Sequence, residues 1–134
     1  MNPTVIIITE VLTLTQNPET ELFEGEAGWQ VTDATIDLDG GDTTYDFLKS
    51  IIPSTIACHD IGHGVDMWYD DEFLYSGAKL NPVASMLAGA EFRGPVVLAS
   101  VSPEGETIGL TPEQIVLLDR FFDNMGARAA ARNN

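Results

Sequence analysis

The apolar positions of this chain set up a β rhythm first, then trade β and helical rhythms in turn. Thr4 to Thr15 is rich in β-branched residues and alternates loosely from Thr9, which predicts a strand. Gln16 to Ala27 reads as a long acidic loop. "GWQVTDATIDLD", residues 28 to 39, then alternates through Trp29, Val31, Ala34, Ile36 and Leu38. Its phase slips near Asp33, which predicts a bulge. The two strands form a hairpin, closed off by the break at Gly40-Gly41-Asp42.

A short helix follows. Asp42 or Thr43 caps it, Asp46 lies in its first turn, and Tyr45, Leu48 and Ile52 share one face before Pro53 ends it. Residues 54 to 58 and 65 to 69 read as strands around a turn, and Phe73 to Tyr75 as a short extended piece. The second helix has Asn81 at its cap, Pro82 at its first position and Gly89 at its stop. Residues 94 to 101 are apolar on both faces and predict a central strand, with a return strand at 107 to 110. Thr111-Pro-Glu-Gln114 is a capping box opening a third helix, whose Ile115, Leu118, Phe122 and Met125 line one face.

The predicted order is β-β-α-β-β-α-β-β-α. This is an α+β fold, a mostly antiparallel sheet with three helices laid against one of its faces. A single domain spans residues 1–126, and residues 127–134 form a small C-terminal tail.

Charge changes the picture of partners more than that of fold. Asp and Glu number 21 against 6 Lys and Arg, for a net charge of −15. Ten acidic residues and no basic one precede Lys49. Such a field repels nucleic acid and anionic lipid and draws in basic surfaces or divalent cations. Direct nucleic-acid binding and membrane binding are therefore excluded. No apolar run approaches the roughly 18 residues of a membrane span. The opening Met-Asn-Pro-Thr lacks the basic region of a secretory signal, and one cysteine closes no internal disulfide. The expected compartment is the cytoplasm.

The densest chemistry lies in "ACHDIGHGV", residues 57 to 65, which holds Cys58, His59 and His63 with Asp60. If His59 and His63 converge across the turn, Asp60, Asp66 or Cys58 completes a set that zinc or another divalent metal accepts, and a metal-binding protein or metal-dependent hydrolase becomes the alternative function. "HDIGH" matches the centre of the HD phosphohydrolase motif. That family is all-helical and needs an upstream histidine, and none precedes His59. Cys58 and His59 point to opposite faces of a strand, and no Gly-x-Ser-x-Gly elbow occurs, so nucleophilic catalysis is poorly served.

The second half resembles a known family. Met67-Trp-Tyr-Asp-Asp-Glu72, Leu80-Asn-Pro-Val-Ala84, Gly94-Pro-Val-Val97 and Glu104-Gly-Glu-Thr-Ile-Gly-Leu-Thr111 occur in that order. They are similar to an uncharacterised small-domain family, a domain of unknown function in actinobacteria and their phages, over about residues 43 to 122. The resemblance implies a phage-type accessory protein, so a host protein is the implied partner. The reading taken here is a non-enzymatic protein without cofactor that binds a host protein with a basic surface. It acts in counter-defence or as a nucleic-acid mimic, in the host cytoplasm. Its acidic surface is assigned to Glu19, Glu21, Glu24, Glu26, Asp37, Asp39, Asp70, Asp71 and Glu72. A homo-oligomer is a further expectation.

Overall fold

The structure is a computed structural model that describes residues 4–16, 18–36, 44–52, 55–72 and 77–125. Its elements follow the expected order: β1 (Thr4–Gln16), β2 (Phe23–Thr35), α1 (Thr44–Ile51), β3 (Ile56–Asp60), β4 (Val65–Asp70), α2 (Pro82–Ala88), β5 (Val96–Val101), β6 (Thr107–Ile108) and α3 (Pro112–Met125). The fold is α+β. All strand pairs are antiparallel, in the order β2-β1-β5-β4-β3, with β6 pairing the far end of β5. Among the described residues no helix is long and apolar enough to cross a membrane.

Strand parity explains the core. On β1, Ile6 and Ile8 belong to one apolar cluster, and Val5 belongs to another with Ile7 packed against it. On β5, Val96 and Leu98 join the first cluster, Val97 and Ala99 the second. Successive side chains point to opposite faces of a sheet. Both faces are therefore buried. α2 and α3 cover the first through Val83, Leu118 and Phe122, while α1 covers the second through Leu48, with Ile52 just after it. The sequence pattern predicts all three helices on one face; instead they divide between the two. The uninterrupted apolar runs of β1 and β5 are the mark of strands covered twice.

The same parity removes the expected bulge. β1 and β2 pair without interruption from Thr4↔Thr35 to Gln16↔Phe23. Trp29 and Val31 serve the α2/α3 face, and Ala34 and Ile36 serve the α1 face. The apparent phase slip is a change of which face carries the apolar residue. The long acidic loop is also shorter than expected, because both strands run 13 residues. β1 meets β5 only at Ile6, Ile7 and Ile8, so the distal part of this hairpin runs on past the register that β5 shares. The expected cap residues Asp42 and Thr43, the break at 40–42, the 73–75 segment and the 127–134 tail lie outside the described residues.

α2 is fixed by one buried asparagine. The Asn81 Oδ1 accepts the Ala84 N–H at 3.0 Å, and its Nδ2 donates to the Gly94 carbonyl at 2.9 Å. The Asn81 N–H donates to the Phe92 carbonyl, and the helix ends at Gly89 with φ 70°. A surface cap is usually worth about 1 kcal/mol. Here the amide also ties the helix to the strand that follows. Asn81→Asp keeps the cap acceptor and turns the donor into a carboxylate facing the Gly94 carbonyl. It is expected to cost about 2–3 kcal/mol of unfolding free energy in urea titration, well above an ordinary cap loss. A cost near zero would mean that the tie to Gly94 contributes nothing.

Candidate functional site

Left-handed backbone is concentrated in the turn between β3 and β4. Gly62, His63 and Gly64 have φ of 94°, 55° and 73° in succession. Glycine takes this region freely, and a residue with a Cβ does so only where its surroundings hold it. The Asp60 carboxylate accepts the Gly62 N–H at 2.8 Å, and the Val65 N–H returns to the Gly62 carbonyl at 3.0 Å.

A distant side chain holds the apex. The Gln114 Nε2 donates to the His63 carbonyl at 2.9 Å and to the Ser100 Oγ at 3.0 Å. The Ser100 Oγ donates in turn to the Gly64 carbonyl at 3.2 Å, which also accepts the Val101 N–H. The Gln114 Oε1 accepts the Thr111 N–H, and the Thr111 Oγ1 accepts the Gln114 N–H. The capping box is thus present. Its glutamine additionally binds α3 to β5 and to the turn. A Cβ on Gly64 would stand 3.2 Å from Gln114 Nε2, so the glycine also makes room for this contact.

Beside the turn lies a cleft of about 210 Å³. Ile61 and Val65 flank it from the hairpin, Leu87 from α2, and Leu117, Leu118 and Phe121 from α3. His63 and Gln114 supply its polar side. Leu117 is 44 % exposed, and Val116 beside it is also exposed, so apolar surface continues outward over α3. An apolar hollow with a few polar groups is the usual form of a binding site.

The expected metal set is not assembled here. His59 pairs in register with Met67, on the α2/α3 face, and its ring lies 5.5 Å from that of Phe92. Asp60 is the next residue along the strand and so faces the α1 side. His63 sits in the turn, exposed, at the cleft. Among the described residues no three His, Cys, Asp or Glu side chains gather as a metal site would require.

The α1 side instead places like charges together. Asp60 and Asp66 are direct cross-strand partners, one pair beyond His59 and Met67, with Cys58 on the same face. Burial, then the charge of Asp60, raises the Asp66 carboxyl above the ordinary range. Burial, then Asp66 and Asp60, likewise raises the Cys58 thiol, which keeps it protonated and a poor nucleophile. On this face the Trp68 indole N–H is buried without an acceptor among the described residues.

The acidic residues divide. Glu19 and Glu21 are exposed in the β1–β2 connection, and Asp71 and Glu72 are exposed just beyond β4. Glu24 and Glu26 fall on β2, in register with Thr15 and Thr13. Asp37 and Asp39 lie outside the described residues. Asp70 is a correction to the assigned surface. It is 2 % exposed and its carboxylate accepts the Glu72 N–H at 2.9 Å, so it shapes the turn from within.

Sequence reasoning missed Gln114 as a buried hub and the cleft itself. The signal for the cleft was present in Val116-Leu117, two apolar residues outside the predicted core face of α3.

Two substitutions test this geometry. Gln114→Glu removes both donors and sets a carboxylate against the His63 carbonyl. A loss of about 2–4 kcal/mol in denaturant unfolding is expected, whereas at an ordinary capping box, where Glu serves as well as Gln, the same change would cost about 0. The Asp66→Asn prediction follows from sign. A carboxyl raised by folding contributes stability that is complete at acid pH and is lost as pH rises through its folded value. Asp66→Asn is therefore expected to be the more stable protein at pH 7, by about 0.2–1 kcal/mol, with the difference vanishing near pH 3. Equal melting temperatures for the two proteins at every pH would remove the like-charge account.

The family model described as a domain of unknown function, DUF3846, matches residues 30–125. It begins within β2 and takes in every later element, a wider span than the motifs suggested. No curated protein and no solved structure matches the chain.

Proposed function

We propose, for a chain that belongs to the DUF3846 family, that it is a non-enzymatic binding protein whose acidic end engages a partner with a basic surface. One observation carries this reading. β1 pairs antiparallel with β5, and β5 with β4, so β1 and β4 run in the same direction. Their C-terminal ends lie at one end of the sheet. Glu19 and Glu21 follow β1 there, Glu24 and Glu26 open β2, and Asp71 and Glu72 follow β4. Acidic residues that are far apart in sequence thus lie toward the same end by strand polarity, those of the β1–β2 hairpin beyond those that follow β4, on a chain of net charge −15.

A negative surface of this kind raises the encounter rate with basic partners and keeps polyanions away. In the phage or actinobacterial setting that the resemblance implies, the partner is a host protein that ordinarily holds nucleic acid or nucleotide. Carboxylates would stand where phosphates otherwise bind, which is a counter-defence role. The chemistry asked of the protein is charge and shape alone, with no reaction step and no cofactor.

The reading is tested with immobilised protein and lysate of a candidate host, at low and high salt. The captured partner is expected to release at high salt. It is also expected to associate at least about ten-fold more slowly with a variant carrying Glu19→Gln, Glu21→Gln, Asp71→Asn and Glu72→Gln. A partner held equally at both salts and by both proteins would rule out the acidic end.

A further inference from the structure

We infer that the apolar cleft between the β3–β4 turn and α3 is a second docking surface, taking a protein segment that presents a large apolar side chain next to a Lys or Arg. It does not depend on the acidic end. The β3–β4 turn joins the C-terminal end of β3 to the N-terminal end of β4, which is the opposite end of the sheet.

Three features define the occupant. Leu87, Leu117 and Phe121 give the cleft an apolar lining, and Leu117 is open to solvent. That lining continues into a shallower hollow along α3, formed with Val116 and Glu113. The apolar surface therefore extends past what a small ligand in the cleft would cover, as a chain segment would require.

Glu113 supplies the charge. It is exposed and lies one helical turn before Leu117, on the same ridge of α3. Its side chain forms no hydrogen bond or ion pair among the described residues. A cation on the incoming segment, placed one turn from its apolar anchor toward the start of α3 and so away from the exposed Arg120, would meet Glu113 as the anchor enters the cleft. The overall charge selects in the same direction. A second copy of the chain would bring another −15, and an anionic membrane would be repelled as well.

Rigidity completes the argument. The wall that carries His63 is fixed to α3 through Gln114, so the cleft is formed before any segment arrives. A preformed hollow lowers the ordering cost of binding.

The experiment uses three synthetic amphipathic peptides of one helical pattern: leucine with lysine, serine with lysine, and leucine with glutamate. Fluorescence titration against the whole protein is expected to show the leucine–lysine peptide binding at least about ten-fold more tightly than either of the others. Leu117→Gln and Glu113→Lys should each remove most of that preference. Leu22→Gln, a change at a remote residue that is 67 % exposed, should leave it intact. The variant lacking Glu19, Glu21, Asp71 and Glu72 should also keep it, which separates this surface from the acidic end. Equal binding of the leucine–lysine and serine–lysine peptides would overturn the proposal. So would a loss with Leu22→Gln as large as with Leu117→Gln. A dimer seen by light scattering and dissolved by Leu117→Gln would overturn it too, by assigning the cleft to a second copy.

Discussion

The carboxamide of Gln114 is the contact on which the arrangement of this end of the molecule depends. Its one oxygen and both of its N–H groups are in use, on Thr111, Ser100 and His63. Each of these partners belongs to a different part of the chain: the start of α3, the end of β5 and the β3–β4 turn. A buried amide with all three of its groups engaged is rigid, and leaving any of them unmet would cost about 1–3 kcal/mol. One side chain thus ties together segments separated by 51 and 14 positions in sequence. The left-handed backbone of His63 is held in place by the same bond.

Two apolar layers surround that contact. Because the sheet is covered on both faces, its central strand β5 carries almost no polar residues, and β1 carries none from Val5 to Ile8, where it meets β5. Ser100 is the buried polar exception on β5, and its hydroxyl lies where Gln114 and Gly64 need it. Charge is correspondingly pushed to strand ends and connections. Most exposed acids therefore sit where strands finish, and strand direction decides which of them share an end. The Asp60–Asp66 pair shows the cost of that crowding: two carboxylates face each other where β3 and β4 part.

Much of the fold was legible in the sequence. Asn81-Pro82, Gly89 and Thr111-Pro-Glu-Gln114 marked helix boundaries correctly, because caps act through neighbours three or four residues away. The element order followed from period alone. What remained illegible was long-range. Period-2 apolar patterns reveal that a strand is buried but not which layer covers it, so they do not separate α1 from the other helices and they make a regular strand look bulged. The histidines of residues 57–65 drew attention as a ligand set, whereas parity separates His59 from Asp60. Asp70 resembled its acidic neighbours Asp71 and Glu72 in sequence, and only the fold distinguishes the one that points inward. Gln114 looked like an ordinary capping residue because its second role is played against residues far along the chain.

The central claim is that the turn, the end of β5 and the start of α3 open together as one unit. Native-state amide hydrogen exchange tests it directly. The amides of Val65, Val101, Thr111 and Gln114 are bonded to the Gly62 carbonyl, the Gly64 carbonyl, the Gln114 side chain and the Thr111 hydroxyl respectively. They are expected to share one opening free energy, close to that of the core. Protection of Thr111 and Gln114 with free exchange at Val65 and Val101 would show that the turn opens on its own, and would contradict the account.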